Sequence, residues 1–339
     1  MIDRKKGKWV AAFAGLVTTL LLGGCGLGEN VPADNPAVQG TASAKPLVLG
    51  YPIAGVDFIG GVAGLARELG YLDEELEKAG YAISYQGFSG AGPAVNEALA
   101  GGEIDFAVYA DFPGIVLQSQ GVETRLLTVT NEVMHAGIVV GPDSPIGGIA
   151  DLKGKKIAFP KGTYVQKYLL QSLEAYGLGQ KDVELVNMTT DAESALFTGA
   201  IDAVAHVDGF VARIAYGEAG GRIIHTTREN EDWTGSIILL ARREYAEENP
   251  EAETAFLEAL ARAKAYAKEN PEEVYALFGE KEKLSPEAVR HLHNLDDSRF
   301  DYYPLELNAK GLAKLEANMA FLLEEGLIRN DFDVAAWNR

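Results

Sequence analysis

The sequence predicts an α/β protein of two lobes, each a mainly parallel sheet flanked by helices, with a helical C-terminal tail. Three observations carry this. Between Leu47 and Ala241 short apolar runs alternate with segments of helical period, the pattern of parallel strands covered by helices. The segment LAGGEIDFAVYAD (residues 99–111) recurs without a gap as LFTGAIDAVAHVD (residues 196–208), so one supersecondary unit is used twice. After Arg243 the strand pattern stops and only helical periodicity remains.

At the N-terminus, Arg4, Lys5, Lys6 and Lys8 precede an uncharged, largely apolar run from Trp9 to Leu22. A basic region followed by an apolar run too short for a spanning helix reads as a signal peptide over residues 1–24. The run ends in Leu22-Gly23-Gly24-Cys25, which resembles a bacterial lipobox. That resemblance implies cleavage before Cys25 and diacylation of its sulfur, and two acyl chains suffice for stable anchoring. Residues 25–45, rich in Gly, Ala, Pro, Asn and Ser, read as a lipidated flexible tether. Cys25 is the only cysteine, so no internal disulfide supports the fold.

The elements then follow in order. Strands are expected at Leu47–Tyr51, Ile83–Gly87, Phe106–Tyr109, Leu126–Val129, Ala136–Val140, Lys156–Phe159, Val183–Val186, Ala203–Ala205 and Ser236–Ala241. Helices are expected at Gly61–Leu69, Ala94–Ala100, Tyr164–Tyr176, Ala192–Thr198 and Val211–Glu218. In the tail, Asn249-Pro250, Asn270-Pro271 and Ser285-Pro286 each place a capping residue before a first-turn proline. A last long helix runs from about Leu305 to Glu325 and stops at Gly326. The tail is expected to pack on one lobe and to carry no chemistry.

The net charge of −19 excludes a nucleic-acid partner, whose phosphates need Lys and Arg, and leaves membrane attachment to the lipid. No Walker A motif, paired-cysteine motif or dinucleotide fingerprint is present, and no cofactor is expected. His291 and His293 stand two apart on a helix and point in different directions, a poor start for a zinc site. Gly87-Phe88-Ser89-Gly90-Ala91 departs by one residue from a nucleophile elbow, which leaves a serine hydrolase using Ser89 as a remote alternative.

GYPIAGVDF, FSGAGPAVNEALAGGEIDFAVYAD, GPDSPIGGIADLKGKKIAFPKGTYVQKYLL and NPEEVYALFG resemble the binding proteins for aliphatic sulfonates, taurine, nitrate and thiamine-pyrimidine precursors. These are type II periplasmic binding proteins. The resemblance spans about Leu47 to Gly279 and is most specific in DSPI…ADLKGKKIA…KGT. It implies a first lobe of residues 46–131 and 236–339, a second of residues 132–235, and a hinge that closes on ligand. It also implies an ABC permease and ATPase as partners, an extracytoplasmic monomer and no enzyme activity. The expected solute is an organosulfonate or taurine; the alternative is a thiamine-pyrimidine precursor or another heteroaromatic.

Ligands of open α/β sheets sit beyond the carboxyl ends of the strands, which nominates three loops. Gly55, Val56, Asp57 and Phe58 follow the first strand, where glycine permits close backbone approach. Ser89 and Gly90 link a strand to a helix and offer a hydroxyl and an N–H to an oxyanion. Thr163 and Tyr164 open a helix at the place where the family has ligand contacts. Asp111 and Asp208 close the two copies of the repeat. They either accept backbone N–H bonds, close the lobes or pair with a ligand amine. Phe58, Tyr109, Phe112, Phe210 and Trp233 are candidate aromatic walls. His135 is expected at the first crossing between lobes.

Overall fold

The computed structural model describes residues 44–53, 56–218, 220–293 and 300–339. The expectations for residues 1–24, Cys25, most of the tether and Gly55 lie outside these residues. Everything described belongs to one unit, Ala42–Arg339.

The chain begins with β1 (Lys45–Pro52), α1 (Gly61–Glu68), α2 (Tyr71–Lys78), β2 (Tyr81–Phe88) and α3 (Ala91–Gly101). It continues through β3 (Phe106–Ala110), α4 (Asp111–Ser119) and β4 (Thr124–Met134). A second set follows: β5 (Ala136–Val140), β6 (Lys156–Phe159), α5 (Tyr164–Ala175), β7 (Glu184–Asn187), α6 (Ala192–Phe197), β8 (Ala203–Val207), α7 (Asp208–Tyr216) and β9 (Arg222–Thr226). The chain then returns through β10 (Gly235–Arg242) to α8 (Arg243–Glu248), α9 (Pro250–Glu269), α10 (Pro271–Glu282), α11 (Pro286–His293) and α12 (Ala309–Glu324).

These strands form two five-stranded sheets, ordered β2-β1-β3-β10-β4 and β7-β6-β8-β5-β9. The orders correspond position by position, with β3 and β8 each at the centre. In each sheet two pairings are parallel and two antiparallel. The antiparallel half comes from the strands that carry the chain between sheets, so each sheet is more mixed than strand–helix alternation suggests.

The repeated motif has a physical basis. Gly102 and Gly199 follow α3 and α6 with φ of 73° and 74°, a left-handed turn that glycine enters without steric cost. Ile104 and Ile201 then enter the core. Asp105 accepts the Val48 N–H at 2.9 Å, and Asp202 accepts the Lys156 N–H at 2.8 Å. Each Ile-Asp step therefore ties the start of a central strand to its neighbour.

One face of the first sheet is covered by α1, α2, α9 and α10, with Leu65, Phe256, Leu260 and Phe278 at its centre. The other face belongs to a core that runs on into the second lobe and includes Phe112, Leu315, Ala136, Tyr164 and Trp337. Most expected elements appear within a few residues, but α2, α4 and β9 were not anticipated. The last helix begins at Ala309 rather than near Leu305. Leu305 has φ of 59°, outside the right-handed helical region, and the Asn308 side chain caps the Gly311 N–H at 2.8 Å. Thr190 and Glu193 have the spacing of a capping box, but α6 starts after Asp191 without a side-chain cap, and Glu193 pairs with Arg213 at 3.7 Å.

Candidate ligand cleft

His135 separates β4 from β5, and residues 227–234 return the chain from β9 to β10. These two crossings define a hinge. Above it lie the carboxyl ends of β1, β2 and β3 on one side and of β6, β7 and β8 on the other, where the nominated loops emerge.

Tyr164 is buried between the crossings. Its hydroxyl donates to the His135 carbonyl at 2.8 Å, and its ring lies so close to Gly235 that a Cβ there would stand 2.6 Å from ring carbon. Burial raises the Tyr164 pKa well above its ordinary value, and the charges of Asp208 and Asp111 add to this. The two repeat aspartates thus flank the hinge together.

Their carboxylates are occupied within the protein. Asp111 has no exposed surface. Its Oδ1 accepts the Phe112 N–H at 2.9 Å, and its Oδ2 accepts from Ser236 N at 3.1 Å and Asn318 Nδ2 at 2.7 Å. Burial raises its pKa to about 6, opposed by the Asn318 hydrogen bond and the charges of Lys167 and Lys314. Asp208 Oδ2 accepts from Arg228 Nη2 at 2.7 Å, and its Oδ1 lies 2.9 Å from His291 Nε2. Burial opposes its ionisation, but His291 and Arg228 outweigh that and lower its pKa.

Asn318 Oδ1 also accepts from Lys167 Nζ at 2.7 Å, and Lys167 donates to the Asp232 carbonyl at 2.9 Å. Lys314, one turn before Asn318, donates to the Glu132 carbonyl and to Thr234 Oγ1, each at 2.6 Å. The tail therefore touches both lobes, correcting the expectation that it packs on one. The sequence gives no sign of this role for Asn318 or His291, because a single polar residue within a helical period does not declare its partner.

The other nominated residues are placed as follows. Asp57 is exposed and accepts from the Tyr51 hydroxyl, whose oxygen accepts from Arg67 Nη1 at 2.9 Å. Val56 is half-buried, and Phe58 is buried against Phe278 with ring centres 6.0 Å apart. Ser89 and Gly90 are exposed at the start of α3. Tyr109 is buried, with its hydroxyl donating to Asn96 Oδ1 at 2.9 Å. Thr163 is half-buried and donates to the Pro160 carbonyl at 2.8 Å. Trp233, also half-buried, tilts against His225 and Tyr168 at 5.8 and 6.3 Å. Phe112 is fully buried beside Phe321, and Phe210 stacks on His206 at 4.0 Å. Burial lowers the His206 pKa to about 4, with Arg213 adding to the shift. The neutral His206 ring accepts the Val207 N–H through Nδ1 at 2.9 Å.

Three helices that begin at these loops, α1, α3 and α5, have no side-chain cap. Among the described residues there is no cluster of acidic, His and Cys side chains suited to a metal ion. None of their helices is long and apolar enough to cross a membrane.

Two sheets of matching strand order, joined by two crossings, make this a two-lobed protein of the periplasmic binding fold. The periplasmic aliphatic sulphonate binding protein SsuA of Escherichia coli has that fold at a TM-score of 0.67 and 27% identity, over 87% of this chain and 97% of that one. The chain belongs to the NMT1/THI5-like family, whose model matches residues 65–274. A putative aliphatic sulfonates-binding protein of E. coli is 31% identical over 244 residues, 71% of this chain and 73% of the relative. The desulfurization enzyme DszB, at 20% identity and a TM-score of 0.70 over 86% of this chain and 96% of its own, shares the fold alone.

Proposed function

We propose that this protein is the extracytoplasmic solute-binding component of an ABC importer and that it closes around an organosulfonate or taurine. Its relatives include two putative aliphatic sulfonates-binding proteins and a taurine-binding periplasmic protein, beside a putative thiamine biosynthesis protein. The observation that carries the ligand class is position: α1, α3 and α5 start at the nominated loops without a side-chain cap, a feature they share with α2, α4 and α6 to α10, which start elsewhere. Free N–H groups and the positive end of the helix dipole suit an anion, with no side-chain cation required. Ser89 and Thr163 add hydroxyls from opposite lobes. Asp57 keeps an exposed carboxylate for the ammonium of taurine. A heteroaromatic amine bound to Asp111 or Asp208 fits less well, because both carboxylates are already held inside the protein.

Binding to the native state alone raises stability by about 2.7 kcal/mol at a hundred times Kd. For a domain of this size that is a rise of about 5–10 °C in thermal midpoint. Ethanesulfonate or taurine added to residues 42–339 is expected to give it, with nitrate and an aminopyrimidine as comparisons. No shift with either sulfonate at millimolar concentration rules out the proposed ligand class.

The protein acts as a monomer delivering solute to a permease and ATPase, and it is held to the membrane through acylated Cys25. Cys25→Ser is expected to move it from the membrane to the soluble fraction. Retention in the membrane fraction removes Cys25 as the anchor.

A further inference from the structure

We infer that the C-terminal helices form a clasp across the hinge, in which α12 fixes the axis and His291 of α11 latches the second lobe in the closed arrangement. The repeat supplies the two points of attachment. Asp111 and Asp208 are equivalent residues, each the first of the helix after a central strand. Each is gripped by one helix of the tail: Asp111 by Asn318 of α12 at 2.7 Å, Asp208 by His291 of α11 at 2.9 Å.

The two grips differ in what they join. Lys314 of α12 bonds Glu132 O, near the end of β4 just before the first crossing, and Thr234 Oγ1 in the second crossing, and so sits beside the axis about which the lobes turn. Asn318, four residues on, joins Asp111 of the first lobe to Lys167 of the second. By contrast, α11 joins the first-lobe core through Val289, which packs beside Gly279 of α10. Its His291 nevertheless meets only second-lobe groups. Arg228 Nη2 donates to the His291 carbonyl at 2.6 Å while also holding Asp208, and the Tyr216 hydroxyl lies 3.3 Å from His291 Nδ1. The Tyr216 and His291 rings are 5.4 Å apart.

A rotation that opens the lobes pulls α7 away from α11 and breaks these contacts together. On this proposal they belong to the closed arrangement and favour its population whether or not ligand is present. The latch deepens the solute-binding reading by making affinity depend on residues outside the ligand loops, since a binding-competent state that is less populated binds proportionately more weakly.

The test uses spin labels at Glu97→Cys in the first lobe and Glu174→Cys in the second, both exposed, in a Cys25→Ser background. His291→Ala is expected to broaden the ligand-free distance distribution toward longer values. His291→Gln, whose amide can still donate to Asp208, should restore much of the short-distance population. Tyr216→Phe, a change at a partly exposed residue safe for folding, should give a smaller shift in the same direction. Unchanged ligand-free distributions in His291→Ala and Tyr216→Phe overturn the latch; if His291→Ala does not fold, Tyr216→Phe alone decides. This arm needs no ligand, so it stands or falls independently of the sulfonate reading. In a second arm, ethanesulfonate should dissociate from His291→Ala about 5–10-fold faster, the loss that a few-fold change in closed population implies. An unchanged rate, with binding intact, means that the latch has no part in retention.

Discussion

Asn318→Ala is expected to lower the thermal midpoint by about 6–16 °C, although the residue lies in none of the ligand loops. The side chain is wholly buried and joins two buried ionisable groups: its amide nitrogen serves Asp111 and its oxygen serves Lys167. A hydrogen bond to a charged group contributes about 1.5–3 kcal/mol, and a buried charge left short of a partner costs more than the bond itself. Asp111 keeps its bonds from Ser236 and Phe112, and Lys167 keeps Asp232, so the loss is partial. About 3–4 kcal/mol is therefore reasonable, at roughly 2–4 °C per kcal/mol. Glu316→Ala, on the exposed side of the same helix, should change stability by no more than about 0.5 kcal/mol.

A pH series separates this account from simple cavity formation. The Asn318 hydrogen bond is the largest influence holding down the Asp111 pKa, which burial has raised to about 6. Without it, that pKa rises further. A folded-state pKa above the unfolded one means that the native state binds the proton more tightly, so this contribution to stability is lost as pH rises from about 4 through the folded value. Asn318→Ala should therefore lie closer to wild type at pH 5 than at pH 8. A deficit independent of pH would mean that the loss comes from packing and not from the Asp111 charge.

The sequence made the two halves legible because the physics of a central strand repeats. A left-handed glycine, a buried Ile and an Asp that ties neighbouring strands together are local requirements, and all recur between residues 99–111 and 196–208. The prolines at 250, 271 and 286 each begin a helix for an equally local reason. β9 is hard to read because Arg222–Thr226 is a five-residue strand without clean alternation, and α4 because Gly114 interrupts a helix of only nine residues. The site was legible only as loops. That Ser89 and Thr163 begin helices follows from pattern, whereas the use of Asp111 and Asp208 depends on Asn318 and His291, which lie 207 and 83 residues away in the chain. No local rule reaches that far. The aspartates fit a ligand role in the sequence because a carboxylate at a strand end looks the same whether it faces solute or a distant helix.

If an anion lies at the start of α5, Thr163→Asp is expected to stabilise the protein and to abolish binding at once. Thr163 already has extended N-cap geometry, φ −122° and ψ 166°, but its hydroxyl is turned back to the Pro160 carbonyl and caps nothing. Aspartate there can accept one of the free N–H groups and faces the positive end of the helix, worth about 1 kcal/mol. The same carboxylate stands where a sulfonate would sit. Two negative charges about 5 Å apart at an effective dielectric constant near 20 repel by about 3 kcal/mol, roughly a hundredfold in affinity. The thermal midpoint of the ligand-free protein should therefore rise by about 2–4 °C while ethanesulfonate binding falls by about two orders of magnitude. Thr163→Asn supplies the cap without the charge and should retain affinity within a few-fold. Opposite signs in stability and binding follow only if the helix start is both uncapped in the free protein and occupied by an anion in the complex. Equal affinity in Thr163→Asp and Thr163→Asn would move the anion away from α5.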